Sequence, residues 1–256
     1  MGRIVVSENV SVDGIMQDPT GEEGFKFGGW FNQMPDDVRT EWAKVEYQEA
    51  LDTAAWLIGR RTYSWFAKRW ADRPGEWADR LRDIPKYVVS STVEDPTEWA
   101  NSTVLKGDVI EQVTKLKQTV DGDILVIASG PLVQTLMERD LVDELRLMTH
   151  PFVLGTGERL FRETSDKKSM RLVGIRTIGD SLALLTYQPA RDASCPASTT
   201  VGERPVEAVE PQNGHESSMV FSLAPAGMAP GHAEPGPAPG RVKGEVRGLS
   251  GPRSAA

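Results

Sequence analysis

Short apolar segments alternate with amphipathic ones along the first 188 residues, and this alternation constrains the fold more than any other feature of the chain. Strands are predicted at residues 3–10, 55–59, 86–91, 123–129 and 143–155, and helices at 35–54, 108–120 and 131–140. Strand and helix in alternation predict an α/β sheet, mostly parallel, with helices on both faces. The last segment, residues 171–188, turns at Gly179-Asp180 and predicts an antiparallel hairpin that closes the sheet.

Helical spacing of apolar residues identifies the faces of two helices that we expect to pack on the sheet. In the first helix these residues are Val38, Trp42, Val45 and Leu51. In the second they are Val109, Val113, Leu116 and Val120. Pro131, at the start of the third helix, suits a first turn because proline lacks the N–H that would have no partner there.

Composition changes sharply near residue 188. Residues 189–256 contain more than half of the 17 prolines in the chain, together with a single aromatic residue, Phe221. Such a segment cannot bury enough apolar surface to offset the entropy of ordering, so a disordered Pro/Gly/Ala-rich tail is predicted. The folded unit is therefore expected at residues 1–188, with a binding motif near residues 217–223 as a minor alternative.

Charge and cysteine content narrow the class of protein. The net charge is -8, with 29 Lys+Arg against 37 Asp+Glu, which disfavours nucleic-acid binding because phosphate neutralisation needs clustered positive charge. No stretch approaches the roughly 20 apolar residues that cross a bilayer, so no membrane partner is expected. The single cysteine, Cys195, and the lack of a long apolar core near the first residues favour the cytoplasm.

Residues 56–66, WLIGRRTYSWF, place Gly59, Arg60, Arg61 and Thr62 where an apolar strand ends and a helix begins. Ligands of open α/β sheets bind at the carboxyl ends of strands, where helix N-termini offer free amides to phosphate. Glycine allows close backbone approach, and guanidinium groups and hydroxyls bind phosphate oxygens. These four residues therefore form a candidate phosphate site.

Two further strand ends carry the same chemistry. The segment ILVIASGPLVQTL ends a strand in small residues before a helix, and KYVVSST places Ser90 and Ser91 after another strand. Two anion sites on one sheet suggest a dinucleotide, and arginines beside its ribose favour NADPH over NADH. The alternative is an ordinary exposed pair of arginines, and the chain has no G-x-G-x-x-G fingerprint.

The chain resembles the dihydrofolate reductase superfamily, in the branch that includes the reductase domain of riboflavin-biosynthesis proteins. The motifs SVDGIM, LIGRRTY, KYVVSST, ILVIASGPLVQTL and LVDELRLMTHPFVLGTGERLF come in the family's order and span most of residues 3–188. The resemblance implies a three-layer α-β-α sandwich with a mostly parallel sheet and a C-terminal antiparallel hairpin. It also implies an NADPH-dependent oxidoreductase that acts on a small heteroaromatic substrate, in many relatives as a homodimer.

The resemblance also assigns residues. Those implied for the cofactor are Gly14, Ile15, Gly59, Arg60, Arg61, Thr62, Ser90, Ser91, Ala128, Ser129, Gly130, Leu132 and Val133. Asp13 is the candidate catalytic residue, because it is the acid nearest in sequence to the expected nicotinamide, although it could equally cap the turn at Gly14. Candidate substrate residues are Trp30, His150, Gly155 and Gly157, each of which could instead be structural.

One position departs from the family pattern. Pterin reductases carry an acid on the first long helix at the place where this chain has Ala43, and Glu41, Glu46 and Glu49 lie near it without matching it. Reduction of the ribosylamino-pyrimidine intermediate of riboflavin synthesis is therefore preferred to dihydrofolate reduction. A nucleotide-binding protein without catalysis is the alternative from another class. No metal site is expected, because no His/Cys/carboxylate cluster has ligand spacing.

Overall fold

The computed structural model describes residues 1–93 and 96–190, which form one mixed sheet with helices on both faces. The strands are β1 (Arg3–Ser11), β2 (Thr53–Gly59), β3 (Lys86–Val89), β4 (Ser102–Leu105), β5 (Asp123–Val126), β6 (Glu144–His150), β7 (Met170–Ile178) and β8 (Leu182–Pro189). The helices are α1 (Asp36–Asp52), α2 (Arg60–Trp70), α3 (Glu76–Asp83), α4 (Val109–Thr119) and α5 (Gly130–Glu138), with a short 3-10 helix at Trp30–Gln33.

The strands lie in the order β4-β3-β2-β5-β1-β6-β8-β7. Strands β1 to β6 pair in parallel, so all six end at the same edge of the sheet, here called the carboxyl edge. Strand β8 pairs antiparallel with both β6 and β7. The predicted α/β class, with a mostly parallel sheet and a C-terminal antiparallel hairpin, is confirmed.

The core has two layers, one on each face of the sheet. Side chains along β1 enter the two layers alternately, because successive side chains of a strand point to opposite faces. Ile4 and Val6 pack with α4 and α5, where Val113 and Leu136 are fully buried. Val5 faces the opposite layer, in which tryptophans and small residues of α2 and α3 cover the sheet. Each large apolar side chain buried in this way stabilises the fold by about 1.5–3 kcal/mol.

The first helix packs differently from its predicted face. Val38 and Trp42 are buried as expected, but Leu51 is 44% exposed, and Ala43 and Ala50 are buried instead. The cause lies at the end of the helix, where Arg80 of α3 donates hydrogen bonds to the carbonyls of Ala50 and Leu51. The last turn therefore meets α3 through its backbone, and the side chain of Leu51 points to solvent.

The tail predicted at residues 189–256 lies almost entirely outside the described residues. Strand β8 ends at Pro189, and the predicted disordered tail lies outside the described residues from residue 191 onward. Within the described ranges, none of the helices combines the length and the hydropathy that a bilayer crossing requires.

Candidate functional site

Several strand-to-helix junctions meet at the carboxyl edge of the sheet. Strand β2 pairs in parallel with β3 on one side and with β5 on the other, so the three strand ends are neighbours. Helix α2 begins at Arg60 directly after β2, and α5 begins at Gly130 shortly after β5. The fold thus brings together the sequence segments from which a dinucleotide site was predicted.

Three hydrogen-bond contacts join the junctions after β2 and β5. The amide of Gly59 donates to Ser129 Oγ at 3.0 Å, and Thr62 Oγ1 donates to the carbonyl oxygen of Ala128 at 2.6 Å. The two hydroxyl oxygens of Thr62 and Ser129 lie 3.0 Å apart. Thr62 is buried and its hydroxyl proton is used by Ala128, so in this arrangement Thr62 holds the turn, and its contact with a phosphate stays a prediction.

The N-terminus of α2 is open to an anion. Its N-cap is Gly59, which has no side chain to accept a hydrogen bond from the first turn, and the first-turn amides of a helix have no carbonyl partner within the helix. A Cβ added at Gly59 would meet only the side chain of Ser129, at 3.8 Å, so nothing else crowds the backbone there. Free amides and the positive end of the helix dipole favour a phosphate at this point.

The two arginines of this turn differ in their surroundings. Arg61 lies 3.6 Å from Glu23 and 3.9 Å from Glu158, so acids already compensate its charge. Arg60 is exposed and forms no ion pair with any residue of the described ranges. Of the two predicted arginines, Arg60 is therefore the one whose guanidinium is available to a ligand.

A cleft of about 440 Å³ lies beside Arg60, between the ends of β3 and β4 and the start of α4. It is lined by Arg60, Val89, Ser90, Ser91, Thr92, Leu105, Gly107 and Val109. Apolar side chains provide a surface for a flat ring, whereas the guanidinium and the hydroxyls suit an anionic substituent. Arg60, Ser90 and Ser91 of this cleft were predicted from the sequence as cofactor residues, whereas the lining residues that β4 and α4 contribute were not.

The turn after β5 presents few free amides. The amide of Ser129 donates to Glu8 Oε1 at 3.3 Å, and the amides of Leu132 and Val133 both donate to the carbonyl oxygen of Ser129. The side chains of Leu132 and Val133 belong to the apolar core, so any contact with a cofactor would come from their backbone. A Cβ at Gly130 would lie 3.0 Å from Met16 Sδ, which places the loop after β1 over this turn.

Asp13 anchors the loop after β1 to the loop after β6. Its carboxylate accepts hydrogen bonds from the hydroxyl of Ser11 and from the amides of Leu154 and Gly155. The Ser11 hydroxyl first, and then these amides, lower the pKa of Asp13 to about 2. Asp13 is therefore ionised at neutral pH and has no proton to donate; a role in orienting substrate stays a prediction.

Other predicted residues shape the same loops. Ile15 is fully buried, and Gly14 has a φ of 78° with no atom within 4 Å of a Cβ position. Gly155 has a φ of 72° and similarly open surroundings. At Gly157, with a φ of 123°, a Cβ would lie 2.8 Å from Ile15 Cγ2, so this glycine is required for the loop after β6 to pack on the loop after β1.

His150 and Trp30 are buried together beneath α1. Their ring centroids lie 4.7 Å apart, and neither residue is exposed. His150 Nε2 lies 2.9 Å from Asn9 Oδ1, which also accepts from Trp42 Nε1, and burial lowers the pKa of His150 to about 3. The imidazole is therefore neutral at physiological pH, and contact of either ring with a substrate stays a prediction.

Two acids in or beside β1, the buried Glu8 of β1 and the partly buried Glu46 of α1, were not predicted as functional residues. Burial raises the pKa of Glu8 to about 8 beneath the turn after β5. On the opposite face, burial and the nearby Glu49 raise the pKa of Glu46 to about 8, and Glu46 Oε1 accepts from Asn9 Nδ2 at 3.3 Å. Ala43, the position where pterin reductases carry an acid, is buried in the core one turn earlier on α1.

Among residues 1–93 and 96–190, no group of three or more His, Cys, Asp or Glu side chains is arranged to hold a metal ion.

Comparison with known proteins places this geometry in a family. Residues 3–184 match the family described as the RibD C-terminal domain. The chain is 28% identical to the uncharacterized protein YyaP of Bacillus subtilis (strain 168) over 191 residues, which cover 72% of this chain and 94% of the relative.

Solved structures share the fold. A Shewanella sp. PV-4 protein assigned by name to riboflavin biosynthesis has 24% identity and a TM-score of 0.58, over 74% of this chain and 99% of that chain. A diaminohydroxyphosphoribosylaminopyrimidine deaminase/5-amino-6-(5-phosphoribosylamino)uracil reductase of Thermotoga maritima has 16% identity and a TM-score of 0.50, over 73% of this chain and 56% of that chain.

Proposed function

The chain belongs to the RibD C-terminal domain family, and from that premise we propose that it is an NADPH-dependent reductase of a small heteroaromatic, pyrimidine-type substrate. The observation that carries the proposal is the cleft beside the N-terminus of α2, which Arg60 lines together with Ser90 and Ser91. This combination suits a 2′-phosphate, the group that distinguishes NADPH from NADH.

Different residues of the carboxyl edge would bind different parts of the cofactor. Arg60, Ser90 and Ser91 would bind the adenosine phosphate, with the adenine on the apolar wall of the cleft. The open amides at the start of α2 would bind the pyrophosphate, beside the bonded pair Gly59 and Ser129. The nicotinamide supplies the hydride when bound. The loop of Gly14, Ile15 and Met16 would hold the nicotinamide ring in place and exclude water from it.

The substrate we propose is a ribosylamino-pyrimidine. The support is the family and the uracil reductase activity in the name of the Thermotoga maritima protein that shares the fold. Dihydrofolate is the weaker candidate, because Ala43 supplies no acid at the position where pterin reductases hold the ring.

A second candidate function is nucleotide binding without catalysis. Two observations favour it: Asp13 is held ionised by hydrogen bonds, and His150 is neutral and buried, so neither of these predicted residues is a proton donor at neutral pH. Turnover separates the two functions, since a binder would retain NADPH affinity but oxidise none of it in the presence of pyrimidine or pterin substrates.

We also propose that the protein is a cytoplasmic homodimer. The support for the dimer is β7, one of the two edge strands of the sheet, on which Leu172, Val173 and Ile175 are each at least 40% exposed. Edge strands with exposed apolar side chains are common sites of association. Light scattering of the full chain tests this proposal, and a monomer at micromolar concentration would contradict it.

Titration of the purified protein with NADPH and NADH tests the central proposal. Quenching of tryptophan fluorescence is expected at lower concentrations of NADPH than of NADH, because only NADPH carries the 2′-phosphate. Equal affinity for the two cofactors, or no binding of either, would contradict the assignment of the cleft.

A further inference from the structure

Glu8 is an acid buried in the apolar layer between the sheet and helices α4 and α5. It is 4% exposed, and its neighbours on the same face of β1 are the core residues Val6 and Val10. Within residues 1–93 and 96–190, no lysine or arginine forms an ion pair with it. A buried acid without a cation lowers the stability of the fold relative to an apolar residue. The contacts of Glu8 indicate a function other than stabilising the core.

Those contacts are with the backbone of the turn after β5. The amide of Ser129 donates a hydrogen bond to Glu8 Oε1 at 3.3 Å, and the neighbouring amide of Ala128 also favours the charged form of this carboxyl. Ala128 has a φ of 46°, in the left-handed region that non-glycine residues rarely adopt, so its conformation needs such support. With its amide held from below, Ser129 directs its hydroxyl to the amide of Gly59.

The charge of Glu8 is set by its surroundings. Burial raises its pKa to about 8, against the opposing effect of the two turn amides, and the more distant acids Glu46 and Glu49 of α1 raise it further. The side chains of β5 and α5 in the same core cluster are apolar, Val126, Leu132 and Val133 among them, and α5 has no acid in its first turn and no base in its last. The acid is therefore largely neutral at pH 7 and ionises near pH 8.

We propose that Glu8 is a positioning residue for the dinucleotide: its neutral carboxyl holds the Ala128–Ser129 turn in its binding shape, and its ionisation opposes dinucleotide binding. The proposal rests on the proposed function, because it assumes that a pyrophosphate lies at this edge of the sheet. A carboxylate beneath the turn repels that phosphate through a medium of low dielectric constant. Binding then raises the pKa of Glu8 and takes up a proton.

The test measures the Kd of NADPH from pH 7 to pH 9.5 at constant ionic strength. This range lies above the second pKa of a phosphate monoester, about 6, so the 2′-phosphate stays fully ionised. The Kd of the natural protein is expected to rise above pH 8 with a slope approaching about tenfold per pH unit. Glu8→Gln keeps an acceptor for the turn amides but cannot ionise, and its Kd is expected to stay within about threefold of the pH 7 value across the range. Glu41→Gln, at an exposed acid of α1, is the matched control and should keep the natural pH dependence.

Three results would overturn the inference. The first is a Glu8→Gln variant that retains the slope of the natural protein, and the second is a natural protein whose Kd does not change with pH. The third is zero proton uptake on binding. Calorimetry of the natural protein at pH 8, in two buffers of different ionisation enthalpy, measures this uptake, and about half a proton per NADPH is expected. A natural protein that binds no NADPH even at pH 7 contradicts the proposed function itself, which keeps the two failures distinct.

Discussion

Ser129 Oγ accepts a hydrogen bond from the amide of Gly59 at 3.0 Å, although the two residues are 70 positions apart in the sequence. Each belongs to a different strand-to-helix junction, and the bond exists because β2 and β5 are parallel neighbours in the sheet. It fixes the separation of the two helix N-termini between which we place the pyrophosphate.

Removal of the Ser129 hydroxyl is expected to weaken both the fold and the site. Ser129→Ala leaves the partly buried amide of Gly59 without its acceptor, which should lower the free energy of unfolding by about 1–2 kcal/mol. The affinity for NADPH should fall as well, because the junction after β2 loses its support. Urea unfolding and fluorescence titration measure the two effects. Ser64→Ala, at an exposed serine of α2, is the control, and equal losses in both variants would contradict the assigned role.

The two glycines of the loop after β6 offer a matched pair of substitutions. Both have positive φ, so alanine at either position should cost about 1–2 kcal/mol of stability. Gly157→Ala should cost about 1–3 kcal/mol more than Gly155→Ala, because only its Cβ would overlap Ile15. Thermal unfolding of the two variants measures the difference. Equal melting temperatures would show that the two loops have room for a Cβ at residue 157 and would contradict this prediction.

The hydrogen bonds of Asp13 predict a specific dependence of stability on pH. Its pKa is lowered from 3.8 to about 2 in the folded protein, so the carboxylate contributes stability above pH 4 that is lost as the pH falls through about 2. Asp13→Asn should therefore be less stable than the natural protein at pH 7, and the difference should shrink between pH 4 and pH 2. The midpoints of urea unfolding of both proteins, measured from pH 7 down to pH 2, test this prediction. A difference that does not change with pH would exclude the carboxylate as its cause.

The order of the main elements could be predicted because the strands of the core contain continuous apolar runs, as at residues 124–127, and because the helices have periodic apolar faces. Strand β4 and helix α3 were missed for a physical reason. Two of the four residues of Ser102–Leu105 are polar, and Glu76–Asp83 is short and rich in charge. Both elements depend on tertiary contacts, of which the hydrogen bonds from Arg80 to the end of α1 are one example.

The site could be predicted in part because parallel strand ends must share one edge of a sheet. Arg60 and Ser90 were identified in this way, whereas Leu105 was missed together with β4. Glu8 was missed because its role depends on the register of β1 against β5, which pairs Val6 with Val126 and brings the turn after β5 over the acid. No local pattern in the sequence contains that register.

The most direct test of the account is the change in NADPH and NADH affinity caused by Arg60→Ala, with Arg61→Ala as the control. Loss of the Arg60 guanidinium should weaken NADPH binding by about 1–3 kcal/mol, roughly 5- to 150-fold in Kd, and should change NADH binding much less. Arg61→Ala should have a smaller effect on NADPH, because Glu23 and Glu158 lie beside Arg61. If Arg60→Ala weakens NADPH and NADH equally, or leaves NADPH binding unchanged, the cleft does not hold the 2′-phosphate and the account is wrong.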